Sequence, residues 1–497
     1  MARGSTANLL GAAVSMASTL LLTVAVTRGL PTGEAGVFFA VTSLFLLSTT
    51  VGQLGTNTGL VYFLSRARSL GLPHAISSLF RIATRPVLVV AVAMAVGLFV
   101  MAPRVSELIN ADHVQQSTGY LRTAAFFIPL SALETVALAG TRGMGTMRPN
   151  VVTEQILRPS LQLLLVGLSV LLVGGRGLSL AWAFAYLPAA VLAYGYWKKV
   201  ASKARVQAIA VPGAPDAVAA EPGRRDFWRF TAPRAAASVA QMAMQRLDIV
   251  LVAALAGAVP AALYTAATRF LVVGQMGQRA ISLAVQPRIG GALAVNDIPL
   301  AKELYRVCTS WLMLVTWPTY LTFVFFGQRL LALFGRDYSA GHDVLLLLST
   351  VMLFATGCGM VDMVLNMAGR TSWNVMNVGL SLGVQIGVDL WLIPKHGIAG
   401  AAIGWAAGIV LANLVPLLQI AMVFGLHPFG RTTLVTTAVT MSCFAAVPTV
   451  VIAFLGTGWW SLVVSLAIGG SLYAAALWRF RSVLHLTELA GIRRRRR

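Results

Sequence analysis

Apolar residues come in runs of about 20 along almost the whole chain, and no run alternates polar and apolar positions as a strand would. The pattern predicts membrane-crossing helices, because in hydrocarbon every backbone amide and carbonyl must be paired within the segment. Windows of that length place about fourteen of them, near 7–28, 36–63, 80–102, 119–140, 150–173, 178–197, 229–256, 260–286, 306–333, 343–367, 373–393, 398–424, 431–455 and 458–480. The expected fold class is an all-α polytopic membrane protein.

Two neighbouring segments between Trp228 and Gly290 depart from a plain apolar body. Arg234, Ser238, Gln241, Gln245 and Asp248 follow at steps of four and three, which is one helix face. Thr265, Thr268, Gln275, Arg279, Ser282 and Gln286 repeat the device, interrupted only by Val272. An Arg or Asp at a bilayer centre costs about 2.5–3.5 kcal/mol on insertion scales, so these stripes are expected to face protein or water. Together they suggest the wall of a positively charged, hydrated cavity.

Composition agrees with the helical pattern. The 497 residues are 57% hydrophobic and 11% charged, against about 25% charged in soluble domains. A net charge of +22 points to nucleic acid in a soluble protein, but here topology explains it. With the N-terminus inside, about 26 of the 38 Lys and Arg fall on inner loops and ends and about 7 on outer ones. Both termini are therefore expected in the cytoplasm, and no nucleic-acid partner is expected. Leu9–Val26 behind Arg3 has the look of a signal peptide, but its length favours an uncleaved first helix. Trp459 and Trp460 suit an interfacial aromatic belt at the outer start of the last helix. Cys308, Cys358 and Cys443 stand singly, with neither metal nor disulfide spacing.

The one sizeable hydrophilic connection, Lys198 to Arg225, is basic and then rich in Ala, Pro and Gly, as a flexible linker is. It separates related halves. Gly145-x4-Asn150-Val151 matches Gly369-x4-Asn374-Val375, and Gly177-x4-Trp182-Ala183 matches Gly400-x4-Trp405-Ala406, at offsets of 224 and 223. The expected organisation is an N-terminal six-helix lobe (1–197), a cytoplasmic linker (198–228), a C-terminal six-helix lobe (229–426), two added helices (427–482) and a basic tail (483–497). Six helices is an even number, so the repeats are parallel and their interface is the natural transport path. The tail Arg493–Arg497 either grips anionic membrane lipids or only reinforces orientation.

The chain has no Walker A loop, dinucleotide fingerprint, HExxH helix or nucleophile–base set, so no catalytic residue, resident cofactor or metal is expected. What remains is binding. Arg presents a planar fork of donors suited to phosphate, and Gln, Ser and Thr suit sugar hydroxyls. The cavity candidates are Arg234, Gln241, Gln245, Arg246, Asp248, Gln275 and Arg279, with Gln53 and Asn57 from the second helix. Each also has a structural reading: Arg234 and Arg269 as snorkelling residues, Arg246 and Asp248 as partners of residues on other helices, Gln53 and Asn57 as interhelical glue. Glu154 and Arg158, four apart, read as an in-helix salt bridge. Asp248 and Asp362 are coupling or structural acids, Asp362 with Asn366 four residues on; Glu134 and Asp389 carry the same two readings.

Several stretches resemble one known family. Leu30-Pro-Thr-Gly-Glu-Ala-Gly36-Val-Phe38, Phe230-Thr-Ala-Pro233 with Asp248, Leu263-Tyr-Thr-Ala-Ala-Thr-Arg269, Leu333-Phe-Gly-Arg-Asp-Tyr338, Ala368-Gly-Arg370 and Ile393-Pro-Lys-His-Gly-Ile-Ala-Gly400 resemble, in order and spacing, landmarks of the polysaccharide transporters. These belong to the multidrug/oligosaccharidyl-lipid/polysaccharide exporter superfamily. The resemblance implies a V-shaped, two-lobed flippase for polyprenyl-(di)phosphate-linked oligosaccharides that works by alternating access in a bacterial-type plasma membrane. It also implies polysaccharide-assembly proteins as partners, and H+, Na+ or the membrane potential alone as driving force. The alternatives are a cation-coupled multidrug antiporter and a lipid II flippase. The first helix lacks the acid of many antiporters, and the second lacks the arginine-rich entry of lipid II flippases.

Overall fold

The computed structural model describes residues 2–70, 72–109, 114–209 and 223–484, with backbone alone at some helical positions. Residues 210–222 of the linker, Asp112, His113 and the Arg493–Arg497 tail lie outside the described residues. All regular structure among the described residues is helical. Among the described residues, thirteen helical stretches are long and apolar enough to cross a membrane, at almost the expected positions from Leu10–Gly29 to Trp459–Arg479. The remaining expected span, near 260–286, falls in a helix whose apolar part, Ala258–Val272, is shorter. The chain is a multi-pass membrane protein.

Two compact units emerge, Met1–Ala262 and Leu263–Arg497. The first contains α1 (Ala2–Gly29), α2 (Thr32–Gly52), α3 (Thr56–Ser69), α4 (Pro73–Ile109), α5 (Val114–Phe126), α6 (Ile128–Gly143), α7 (Arg148–Asn150), α8 (Arg158–Val173), α9 (Leu178–Phe184), α10 (Tyr186–Ile209) and α11 (Arg224–Ala256). The boundary then falls within the first turns of α12 (Ala258–Ala294). The second holds α13 (Ile298–Leu331), α14 (His342–Gly357), α15 (Val361–Met367), α16 (Thr371–His396), α17 (Ile398–Phe424), α18 (Arg431–Met441), α19 (Val447–Leu455) and α20 (Trp459–Arg479).

By its contacts α11, which follows the linker, groups with the first unit. α11 packs on α2, α3 and α4 of the first unit. Glycines make the approach close: Gly59 faces the Thr231 hydroxyl, a Cβ on Gly55 would lie 2.6 Å from the Ala235 nitrogen, and just past α11 Gly36 faces the carbonyl of Ala258, the first residue of α12. Small residues let helix backbones meet where lipid offers no hydrophobic drive for association. Tyr62 stacks on Phe230 at 4.4 Å and Phe63 tilts against Phe227 at 5.4 Å, closing the same contact.

Several spans are interrupted, and each interruption has a local cause. The second bends between α2 and α3, where Leu54 and Gly55 have φ of 50° and 69°. The tenth stops at Cys358–Met360, with Gly359 at φ 80°, and resumes as α15. There the Tyr305 hydroxyl donates to the Cys358 carbonyl at 2.5 Å, and Trp317 Nε1 to Thr356 Oγ1 at 3.1 Å. Irregular backbone at membrane depth survives only where protein or a water-filled space covers it. The repeat is visible in the turns as well: Gly145 and Gly369 have φ of 81° and 76°, and Gly174 and Gly397 have 62° and 55°.

In the second unit a core of Tyr305, Cys308, Leu312, Met360, Val361 and Ile420 joins α13 to α15 and α17. The added helices rest on α13, with Tyr473 Oη donating to the Leu314 carbonyl at 2.7 Å and Trp311 Nε1 to that of Leu484 at 2.9 Å. All three cysteines are free and buried.

Candidate functional site

The first unit gathers charge around α6 and α8. Glu134 on α6 is 1% exposed and accepts from Arg158 Nη1 at 3.1 Å; the Arg158 side chain is 21% exposed. The guanidinium also lies 5.0 Å from the centre of the Tyr186 ring. Tyr186 is held by Trp182 and Phe45, whose rings meet edge to face at 5.1 Å. The expected Glu154–Arg158 bridge is corrected here. Glu154 lies inside a π turn, Val151–Leu157, so the i,i+4 geometry of an α-helix does not apply, and Arg158 opens α8 with Glu134 as its partner.

Beside this pair, the broken second span offers neutral polar groups. Gln53, at the break, donates to Thr135 Oγ1 at 3.4 Å. Asn57 accepts through Oδ1 from Arg142 at the end of α6. Arg142 Nε is buried without a partner, and no described carboxylate lies within ion-pair distance of this guanidinium. Gln155 in the π turn donates to Asn8 Oδ1 at 2.9 Å. Arg246 is half-buried on α11, with Asp248 and Tyr186 as its electrostatic neighbours. Asp248 is 1% exposed and accepts through Oδ1 from the Ile249 amide at 2.8 Å.

The remaining sequence candidates divide. Arg234, Gln241 and Gln245 are exposed on α11. Arg234 is tied to its own helix, donating to the Phe230 carbonyl at 2.8 Å and lying 3.7 Å from the Phe230 ring centre. The side chains of Gln275 and Arg279 lie outside the described residues. Asp362 is exposed on α15, and Asn366 accepts from Asn374 at 3.4 Å. Arg269 is half-buried on α12.

A second polar seam, foreshadowed only by Asp389, runs down α16. Asn377, Ser381, Gln385 and Asp389 are buried at four-residue spacing, and Asn377 exchanges hydrogen bonds with Gln419 of α17 at 2.7 and 3.1 Å. Opposite them stand Gly400, Gly404 and Gly408; Gly404 faces Asp389 Oδ1, and a Cβ on Gly408 would lie 3.1 Å from Gln385 Oε1. Polar residues every four positions in one apolar segment and glycines every four in the next are a sequence signal for this seam. The Glu134–Arg158 and Asn57–Arg142 contacts, by contrast, join residues far apart in the chain and have no such signal.

Chemically the arrangement offers groups suited to binding an anion or a polar ligand. It presents guanidinium forks, amides and hydroxyls, and no group of three or more His, Cys, Asp or Glu able to hold a metal exists among the described residues. No curated protein matches the chain in sequence. The MatE family model matches residues 233–391, from α11 into α16. Among solved structures, the lipid II flippase MurJ in an inward closed conformation superposes with a TM-score of 0.74 at 13% identity, covering 97% of this chain and 100% of its own. An inward-facing multidrug resistance MATE transporter follows with a TM-score of 0.64 at 16% identity, covering 83% and 95%. A transporter of the same superfamily from Pyrococcus furiosus, described by the reverse polarity of its binding pocket, matches with a TM-score of 0.56 at 16% identity, covering 85% and 95%. These relatives are transporters, not enzymes. Residues 233–391 thus match the MatE family model, and the chain as a whole has a fold similar to that of these transporters.

Proposed function

We propose that this protein translocates a polyprenyl-diphosphate-linked saccharide from the cytoplasmic to the outer leaflet of a bacterial-type plasma membrane by alternating access. The observation that carries the reading is Arg142. It lies at the end of α6, is held by the neutral Asn57 just beyond the break in the second span, and has Glu154 as an electrostatic neighbour but no described carboxylate within ion-pair distance. Such a guanidinium keeps its charge available for an anion, and Arg suits the bidentate geometry of a phosphate. Arg246 and Arg158 add positive charge nearby in the fold of the first unit, each balanced in part by an acid. Gln53, Gln155 and Asn8 supply neutral donors and acceptors suited to sugar hydroxyls.

The full-length likeness to a lipid II flippase, last two helices included, supports a lipid-linked substrate and makes the peptidoglycan precursor the second reading. A membrane potential positive outside drives an anion outward by about 2.3 kcal/mol per charge per 100 mV, so transport needs no ATP. H+ or Na+ exchange through Asp248 or Asp362 is part of the proposal. The test is depletion of the protein followed by identification of the lipid-linked saccharide that accumulates on the cytoplasmic leaflet. Accumulation of a polysaccharide repeat unit supports the first reading and of lipid II the second. Drug sensitivity with no lipid-linked intermediate overturns both and favours the cation-coupled antiporter.

A further inference from the structure

Where α17 gives way to α18, beside the start of α13, cations gather without a counter-charge. An Arg306 Nη lies 3.2 Å from Nε2 and 3.4 Å from Nδ1 of His427. The same side chain crosses Gly430, the N-cap of α18, with Cδ and Nε 3.3 Å from the place of a Cβ. A helix start carries amides without intrahelical partners and a partial positive charge, so an arginine there is repelled rather than held. Lys302 precedes Arg306 by one turn, and Arg431 opens α18. Among the described residues none of these cations has a carboxylate within ion-pair distance; the adjacent Glu303 is exposed and pairs with none of them. Arg306 Nε is buried with no hydrogen-bond partner.

Burial, then the charges of Lys302 and Arg306, lowers the His427 pKa from 6.5, against the pull of the Phe429 backbone. One residue beyond Arg306, Val307 joins Trp311, Leu314 and Leu484 in an apolar cluster, as at a membrane interface. We propose that Arg306, His427, Lys302 and the first-turn amides of α18 bind a phosphate group, carried by a phospholipid headgroup or by free phosphate. The arginine fork and the helix start are both phosphate donors, and an anion would relieve the repulsion that the cluster now stores. The site lies wholly in the second unit and does not depend on the translocated substrate.

The experiment uses the full-length protein purified in detergent, with thermal unfolding followed against phosphatidylglycerol, phosphatidylcholine and inorganic phosphate. The expected result is stabilisation by phosphatidylglycerol and not by phosphatidylcholine, with a half-effect concentration at least five-fold higher in Arg306→Gln. Stabilisation by inorganic phosphate that is lost in the same variant assigns the site to free phosphate and supports the shared chemistry. Without any anion, Arg306→Gln should be no less stable than the parent. The response should strengthen from pH 7.5 to 6 in the parent and not in His427→Gln. If Arg306→Gln does not fold, Lys302→Gln replaces it, with a shift in the same direction. Equal responses of parent and variants to every anion overturn the proposal, whatever the transported substrate proves to be.

Discussion

Removing one member of the Glu134–Arg158 pair should cost very different amounts depending on which member goes. The groups meet at 3.1 Å, and the carboxylate is 1% exposed while the guanidinium side chain is 21% exposed. At an effective dielectric of 20, unit charges about 4 Å apart attract by about 4 kcal/mol. Arg158→Ala strands a buried carboxylate, and breaking a buried pair in this way costs about 3–5 kcal/mol. For a unit of this size that is about 6–20 °C in Tm. Glu134→Gln leaves an arginine that is less enclosed than the carboxylate it loses and still faces the Tyr186 ring at 5.0 Å. Its loss should be about 1–2 kcal/mol, near the value of one charged hydrogen bond. The assay is thermal unfolding of the detergent-purified protein by tryptophan fluorescence. A thiol-reactive dye is less informative, because Cys308, Cys358 and Cys443 all lie in the other unit. Equal losses in the two variants, or a larger one for Glu134→Gln, would refute the reasoning that asymmetric burial sets the penalty.

Other expectations follow from single contacts. Arg142→Gln should retain membrane insertion and reduce translocation at least ten-fold in a reconstituted flipping assay, and an unchanged rate removes Arg142 from the substrate path. Gly404→Val drives a side chain into Asp389 Oδ1 at the α16–α17 seam; overpacking alone costs about 1–3 kcal/mol, so a drop in Tm and in expressed monomer on size-exclusion chromatography is expected. Gly55→Val combines φ of 69° with a Cβ 2.6 Å from the Ala235 nitrogen, and its Tm should fall further than that of Gly174→Val, whose added Cβ meets open space. His427 has a folded pKa below 6.5, so the unfolded chain takes a proton that the folded one refuses. Its contribution is therefore complete above 6.5 and declines as pH falls through that value, a slope that His427→Gln should flatten in urea titrations at pH 5 to 8.

The spans were legible because a bilayer imposes one length and one polarity on every helix, and apolar runs of that length have few alternative folds. Their interruptions were not. Gly55 and Gly359 are two among 46 glycines, and Leu54 at φ 50° carries no compositional mark. The contacts of α11 with α2, α3 and α4 carried no mark either, since the repeat counts that helix with the second half. The decisive features were glycines on α2 and α3, and a partner's small residues cannot be matched to a helix before the packing is known.

The polar stripe on α11 shows why a helical face is a weaker guide than a contact. Its members share one side of the helix by spacing, yet Arg234 turns back onto Phe230, Gln241 and Gln245 are exposed, and Asp248 is buried against its own backbone region. The closest charge pair of the first unit lies elsewhere, on α6 and α8, where a π turn precedes Arg158. Arg142 and Arg158 differ in what they can still bind. A carboxylate already 3.1 Å away competes with any incoming anion for Arg158, whereas Asn57 offers Arg142 a dipole and no charge. A guanidinium held by a neutral amide, with Glu154 only a longer-range neighbour, keeps more capacity for an incoming anion, which makes Arg142, rather than the better-paired Arg158, the residue on which binding of a diphosphate should depend.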